Sequence, residues 1–541
     1  LGPPDGPVPA RTFTPWCTTP CVCAEEWFGG CSTMPIRRRL WRLSVVRVTH
    51  RRAGSQDVRV TTLECEAQDG LDEAMNAVIT AFSRVPDAVD EPTLLRIEAR
   101  VHGSLSVAES LRWAMAAGAD ARASWADRDD RLVVAGVGEA WTLGGLGWTL
   151  GDGLQALQAV MADAPPRLRA FGGRCFHREL RSSGAWKAFG AWRFAVPRLE
   201  IGRDTEGVWL AAHLQGAPAD WSRNVREGTA AVRATQLALQ RSSRVEPSVE
   251  PSVEPSVEPS ATVMEVVDSP DRAGWHEAVN EALAQIEQGT LAKVVLARQR
   301  RVQLAVAPDP IVLLAQLAQR EPHAYRFCLQ PTAGSAFVGA SPERLVQIDG
   351  GHVVSEALAG TRPRGADARS DARWKAELLA SEKDLHEHRL VTEMVADTLT
   401  SLYDEVEVPA TPGVMALASV QHLHSPIHAR THERPSIADL LLALHPTPAV
   451  GGTPREAARR AIEALECFQR GLYAAPVGWI GGQGAAEFTV AIRSALVEGD
   501  AISLFSGAGI VAGSNPDGEW REIDGKIAAL WQAFGLDQEG R

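Results

Sequence analysis

Residues 245–260 are four tandem copies of Val-Glu-Pro-Ser, and this stretch limits the architecture more than any other in the chain. A proline at every fourth position removes a backbone donor and fixes φ, so neither a helix nor a central strand can pass through it. With acids and serines between the prolines, it reads as a stiff, extended, solvated spacer. The chain is therefore expected to fold as two parts joined by an expanded loop. The expected boundaries are an extension over 1–40, an N-terminal part over 41–242, the spacer over 243–264 and a C-terminal part over 265–541.

The C-terminal part carries the candidate chemistry. Residues 505–526 read FSGAGIVAGSNPDGEWREIDGK. A short strand over 502–505 is expected to open into Ser506, Gly507, Ala508 and Gly509, where glycines let the backbone approach a ligand and turn N–H groups toward an anion. After a turn over 513–518 a helix starts, with Glu519, Glu522 and Lys526 at i, i+3 and i+7 on one face. A solvated helix start, with acids favoured by the dipole, explains that pattern equally well. A carboxylate pair beside an anion-cradling loop would also suit a divalent cation bridging to an anionic substrate.

A second acid pair lies in a long helix expected over roughly 372–403, within the segment SEKDLHEHRLV. Asp384 and Glu387 again stand at i, i+3, with His388 beside them. Four acids converging in a core would be intolerable unless a cation neutralised them. No cysteine accompanies them, so oxygen-only ligation favours Mg²⁺ over zinc.

Other segments place single residues of interest. A helix over 271–288 ends at Gly289, a C-cap glycine, and a strand over 291–298 (LAKVVLAR) follows. Alternation puts Lys293 on the face of Val295 and Ala297, either snorkelling at an edge or held near a site. Strands over 324–330 and 335–339 lead to Glu343. A strand over 353–358 runs into 359–365, with Gly360 and Thr361, a turn outside regular structure. His422 and His424 share a short strand, and Ala449 sits in a proline-rich loop. Strands over 473–480 and 487–493 begin with Tyr473 and end with Arg493. A guanidinium there could fork onto a carboxylate, or simply pair with a core acid. In the N-terminal part a hairpin is expected from 122–127 and 131–138, a helix over 154–162, and a strand pair over 192–201 and 208–214.

Composition narrows the class. At 541 residues and 45% hydrophobic, the chain can bury a large core. Its 55 basic and 67 acidic residues give −12, which argues against a nucleic-acid partner. No apolar run reaches a membrane span and the opening residues lack a leader pattern, so a cytoplasmic protein without membrane contact is expected. Cys17, Cys21, Cys23 and Cys31 crowd the Pro/Gly/Thr-rich start in a spacing unlike zinc sites, and a disordered extension is expected there. Cys65, Cys175, Cys328 and Cys467 read as ordinary buried thiols.

Taken in order, KVVLAR, GASPERL, LAGTRPRG, SEKDLHEHRLV, HPTPAVGG, AIRSA, FSGAGIVAGSNP and GEWRE resemble the chorismate-utilising enzyme family. That family includes isochorismate synthases, salicylate synthases and the large subunits of anthranilate and aminodeoxychorismate synthase. The resemblance covers about 265–538 strongly and 95–240, including VPRLEI, more weakly. It implies an α/β (α+β) fold, with two large antiparallel sheets packed face to face, helices outside and the active site between the sheets. It implies that Lys293 activates water for attack on ring carbon C2 and that Glu343 protonates the departing C4 hydroxyl. Burial would have to lower the lysine and raise the glutamate for those roles. Glu387 and Glu522 would hold Mg²⁺ directly, with Asp384 and Glu519 in support through water. Arg493, Tyr473, Gly507 and Gly509 would grip the carboxylates of chorismate, with Lys526 nearby. Gly360 and Thr361 would wall the C4 side, and His422 and Ala449 complete the substrate-binding set.

Amine-forming relatives carry glutamine where Lys293 stands, so lysine implies water as nucleophile and no glutamine amidotransferase subunit. The segment HPTPAV resembles isochorismate synthases, so that reaction is expected, in menaquinone or siderophore biosynthesis. Salicylate synthesis, by further elimination of pyruvate, is the alternative. A chorismate-binding protein without turnover would have lost Lys293, Glu343 or a metal ligand, and all are present. An unrelated α/β scaffold would need the two acid pairs to lie apart in space. A monomer or weak oligomer is expected.

Overall fold

The computed structural model describes residues 42–46, 58–145, 150–177, 184–244, 261–417, 420–431 and 436–536. The 1–40 extension, with Cys17, Cys21, Cys23 and Cys31, and the Val-Glu-Pro-Ser repeat lie outside the described residues.

Strands from both parts of the chain join one hydrogen-bonded network that is almost wholly antiparallel. A parallel pair, Arg59–Gln68 with Thr93–Val101, departs from that pattern. The strand Trp192–Asp204 is the hub: one edge pairs with Val133–Gly144, while the other pairs first with Arg169–Arg174 and then with Gly207–Gly216. Two limbs diverge from it. The first runs from Val133–Gly144 through Arg122–Ala126, Tyr325–Thr332, Ser335–Ser341, Ser494–Glu498 and Ala501–Ile510 to Lys293–Leu304. The second runs from Arg169–Arg174 through Pro476–Gly481, Ala486–Val490, Arg344–Asp349 and His352–Pro363 to Val420–Arg430. These limbs are the two large antiparallel sheets implied by the motifs, continuous through the hub. One core cluster takes apolar side chains from both, such as Phe337 and Leu504 from the first and Val477 and Phe488 from the second. The first six residues of Lys293–Leu304 are all buried, which is why KVVLAR reads as a near-continuous apolar run rather than a clean alternation.

The chain crosses between limbs twice at the same place. Pro342 and Glu343 link Ser335–Ser341 to Arg344–Asp349, and Ala491 to Arg493 link Ala486–Val490 to Ser494–Glu498. The crossovers clamp each other. The Glu343 carbonyl accepts from the Val490 N–H at 3.0 Å and from Thr489 Oγ1 at 2.6 Å. Ser341 Oγ donates to the Val490 carbonyl at 2.6 Å, and the Ala340 N–H to the Arg493 carbonyl at 3.1 Å. Arg493 adopts φ 50°, a left-handed conformation that costs a non-glycine residue about 1 kcal/mol. The double clamp holds it there.

The expected hairpin, the helix Leu150–Met161 and the pair Trp192–Asp204 with Gly207–Gly216 all form. Several local expectations are corrected. Ser506 to Gly509 does not open into a loop but continues the strand Ala501–Ile510, with Gly507 opposite Ala297 and Gly509 opposite Val295. Residues 359–363 likewise extend the strand His352–Pro363. Gly360, at φ 75°, absorbs the irregularity as a bulge where the register shifts between Ala359 and Thr361. The single long helix is two, Ala368–Ala380 and Glu382–Thr400, parted at Ser381. The Ser381 hydroxyl accepts the Asp384 N–H at 3.3 Å, an N-cap that competes with continuing the helix. Arg493 lies beyond its strand, in the crossover. Cys467 is exposed rather than buried. Among the described residues no helix is long and apolar enough to cross a membrane.

Candidate active site

Lys293 opens its strand and is 3% exposed, so it does not snorkel to water. Its Nζ donates to Glu387 Oε1 at 2.6 Å. A Cβ on Gly509 would lie 3.0 Å from Lys293 Cε and 4.0 Å from Glu387 Oε1, so the bare glycine makes room for both side chains. A Cβ on Gly507 would meet the Leu296 carbonyl at 3.0 Å and the Tyr473 hydroxyl at 3.3 Å. Tyr473 is buried and stacks on Phe505, with ring centroids 5.2 Å apart.

Glu343 is buried at the crossover. Burial, and then the neighbouring Glu356 carboxylate, push its carboxyl up to about 8 against the opposing pull of Lys293. Burial acts on Glu356 in the same direction, but Arg128, the hydrogen bond with His424 and Arg344 outweigh it and bring that carboxyl down to about 2. Two neighbouring carboxyl groups are thus driven apart, one neutral and one ionised near pH 7, as a division between proton donor and fixed charge requires.

The four acids singled out by helical spacing are each engaged separately. Glu387 meets Lys293, and Arg362 Nη2 lies 2.9 Å from Asp384 Oδ2. Lys526 Nζ donates to Glu522 Oε1 at 2.7 Å and to the Gly507 carbonyl at 2.9 Å. Burial raises the Glu519 carboxyl against a hydrogen bond from Ser514. The two acid-bearing helices therefore meet the same strand, one through Glu387 beside Gly509 and one through Lys526 on Gly507. Among the described residues no three of His, Cys, Asp and Glu are gathered closely enough to form a metal cage. The neutralising charges are Lys293, Arg362 and Lys526. The donor set still suits a hard dication: it is all carboxylate, and the adjacent His388 is turned away to Ser425 Oγ at 2.8 Å.

The opposite limb supplies the remaining positions. A Cβ on Gly360 would lie 3.1 Å from Asp384 Cβ, so the bulge glycine lets the helix approach the strand. Thr361 Oγ1 and His422 Nδ1 are 2.9 Å apart. Burial, and then the Arg493 guanidinium, bring His422 down to about 4, which leaves it neutral. Burial also lowers Arg493, against the pull of Glu321 and Tyr473. Ala449 packs on Ala357, Ala359 and Val391. Lys293, Gly507 and Gly509 thus belong to the first limb, Gly360, Thr361 and His422 to the second, and Glu343 and Arg493 to the crossovers between them.

Sequence reasoning missed two buried ion pairs around these residues. Arg128 and Glu356 form one. Its signal was an acid inside the apolar run 353–358. Arg470 and Glu466 form the other, visible as an i, i+4 pair. Arg470 donates to the carbonyls of Val295 at 2.7 Å and Val450 at 2.9 Å, and Glu466 Oε1 accepts the Ala297 N–H at 2.8 Å. That pair ties the Lys293 strand to the loop that carries Ala449.

The family model described as chorismate binding enzyme matches residues 81–535. The protein named isochorismate synthase 2, chloroplastic, of Arabidopsis thaliana is 36% identical over 406 residues, covering 74% of this chain and 70% of its own. Isochorismate synthase MenF of Bacillus subtilis (strain 168) is 36% identical over 368 residues, covering 68% of this chain and 74% of its own. Among solved structures, MenF, the menaquinone-specific isochorismate synthase from Escherichia coli, aligns with a TM-score of 0.70 at 26% identity, over 86% of this chain and 99% of that one. With the motifs in order and two antiparallel limbs, and with the family model matching over 81–535, the chain belongs to the chorismate-binding enzyme family.

Proposed function

We propose that the protein is an isochorismate synthase, converting chorismate reversibly to isochorismate by adding water at C2 as the C4 hydroxyl leaves. The observation that carries this reading is a buried lysine in the same site as a buried carboxyl pushed up to about 8. The names of the Arabidopsis, Bacillus and Escherichia relatives agree with it.

In this reading Lys293 must first give up its contact with Glu387 and lose a proton to solvent, and its free amine then takes a proton from the water that attacks C2. Glu343 gives its proton to the C4 oxygen as that bond breaks, so the hydroxyl leaves as water while the ring double bond shifts. The two protons balance, and exchange through solvent from Lys293 to Glu343 resets the site. A neutral acid near pH 7 is what general acid catalysis asks of Glu343. Arg493 would fork onto a substrate carboxylate, with Lys526 adding charge and the Tyr473 hydroxyl, whose ionisation burial opposes, donating a hydrogen bond. Gly507 and Gly509 leave the ring room to lie close to the strand. Neutral His422 with Thr361, Gly360 and Ala449 closes the other side.

Glu387 and Glu522, supported by Asp384 and Glu519, would hold Mg²⁺, which when bound anchors the ring carboxylate of chorismate. Their donors are oxygen throughout, as a hard dication prefers. We assign the work to the cytoplasm and to a monomer or weak oligomer, in menaquinone or siderophore biosynthesis. Residues 265–541 would act as the catalytic part and 41–242 as its N-terminal complement. No amidotransferase subunit is needed when water is the nucleophile.

The test is incubation of the purified protein with chorismate and Mg²⁺, with and without EDTA, and chromatography of the products. Isochorismate in equilibrium with chorismate, lost with EDTA, is the expected result. Salicylate with pyruvate would move the assignment to salicylate synthase. No turnover with metal present would leave a chorismate-binding protein.

A further inference from the structure

Beyond the clamp that Thr489 and Val490 place on its carbonyl, Glu343 sits on a two-residue bridge with no strand ladder of its own. Arg128 reaches that bridge from the turn between Arg122–Ala126 and Val133–Gly144. Its Nη1 donates to the carbonyl of Pro342 at 2.9 Å, one residue before Glu343. The same guanidinium forks onto Glu356, with Nη1 to Oε1 at 2.8 Å and Nη2 to Oε2 at 2.9 Å. Glu356 Oε1 in turn accepts the N–H of Arg344 at 2.8 Å, one residue after Glu343. Its Oε2 lies 3.1 Å from His424 Nε2. The pair therefore grips the chain on both sides of Glu343.

The turn that aims Arg128 is itself built. The Asp127 carboxylate accepts N–H groups from Asp129 at 3.1 Å, Arg131 at 2.8 Å and Leu132 at 3.1 Å. Arg326 holds the same turn through the Asp127 carbonyl and the Asp130 carboxylate. Glu356 is 4% exposed, and a buried ion pair is seldom retained for stability, since apolar residues of similar size do as well or better. A bidentate pair whose spare bonds go to residues 342 and 344 calls for a role at residue 343.

We propose that Glu356, held by Arg128, is a positioning residue for Glu343: it fixes the acid's backbone from both sides and sets a permanent negative charge beside its carboxyl. The inference rests on Glu343 being the proton donor. Glu343 is faced by Glu356 and, in opposition, by Lys293, while Glu356 is faced by Arg128, Arg344 and His424. Glu487, bonded by the Tyr325 hydroxyl at 2.9 Å, is the next buried acid; burial raises it, and Arg344 and Arg128, which also face Glu356, oppose that. A like charge favours the neutral form of its neighbour, so removing it lets Glu343 ionise at lower pH.

The experiment compares the full chain with Glu356→Gln, Arg128→Lys and Glu343→Gln, using two readouts. One is the pH profile of chorismate conversion with Mg²⁺. The other is the pH at which the infrared band of the protonated Glu343 carboxyl, identified by its loss in Glu343→Gln, disappears. Glu356→Gln is expected to move both the alkaline limb and the band midpoint to lower pH. Arg128→Lys keeps the charge but loses the fork, so it is expected to lower kcat about tenfold or more, with KM and the alkaline limb held. If Glu343→Gln loses turnover while Glu356→Gln keeps the wild-type limb and band, the inference is overturned and the acid stands. If Glu343→Gln turns over normally, the acid reading falls and takes the inference with it. Should Glu356→Gln not fold, an unchanged kcat in Arg128→Lys overturns the inference.

Discussion

Replacing Glu343 with glutamine should have two opposite effects: loss of turnover and a gain in stability that grows with pH. Burial first, and then Glu356, raise the folded carboxyl from an ordinary 4.5 to about 8. For an acid raised in this way, the folded state binds its proton more tightly than the unfolded chain does. Its contribution is fully present below the unfolded value and is lost as pH rises toward the folded one. At about 1.4 kcal/mol per pH unit, the gap from 4.5 to about 8 amounts to about 5 kcal/mol well above pH 8, and to about 3 kcal/mol at pH 7. Glutamine is neutral at every pH and nearly isosteric, so it escapes this loss. With an unfolding entropy near 2 cal/mol/K per residue, 3 kcal/mol in a chain of this length raises Tm by about 3 °C at pH 7, with almost no change at pH 4. Thermal and urea unfolding of both proteins at pH 4, 5.5, 7 and 8.5, beside a turnover assay, measures it. Glu487, which burial pushes up to about 7, adds a slope of the same sign to both proteins and cancels in the difference. A variant whose stability relative to wild type does not change between pH 4 and pH 8.5 would refute the reasoning.

Other expectations follow from single contacts. Lys293→Gln should keep the fold, since glutamine can still bond Glu387, yet lower isochorismate formation by about 10²- to 10⁴-fold in a direct product assay. Arg493→Lys keeps the charge but loses the planar fork, so KM for chorismate should rise about tenfold with a smaller effect on kcat. Gly360→Ala forces a side chain into φ 75° and to 3.1 Å from Asp384 Cβ. It should cost about 1–2 kcal/mol in urea unfolding and raise the Mg²⁺ concentration needed for half-maximal activity.

What was legible in the chain was whatever a short window contains. Acid pairs at i, i+3 and a lysine inside an apolar strand announced themselves, and the helices carrying Glu387 and Lys526 do meet one strand. Turn-like glycines misled for a physical reason: at Gly360 a left-handed residue became a bulge within a strand, and at Gly507 the missing Cβ serves close approach rather than a reversal. Ser381 looked like any helix residue until its hydroxyl capped the next helix. The grip on Glu343 was illegible because Arg128 and Glu356 are 228 residues apart, and only the meeting of the two limbs joins them.

The source of the new oxygen tests the roles of Lys293 and Glu343 most directly. Chorismate should be converted in H₂¹⁸O with Mg²⁺, and the isochorismate examined by mass spectrometry, with fragmentation to locate the label. Attack of water activated by Lys293 as Glu343 releases the C4 hydroxyl predicts one ¹⁸O per isochorismate, at C2. Isochorismate formed without ¹⁸O would mean that the C4 hydroxyl migrates within the molecule, and the roles given to Lys293 and Glu343 would be wrong.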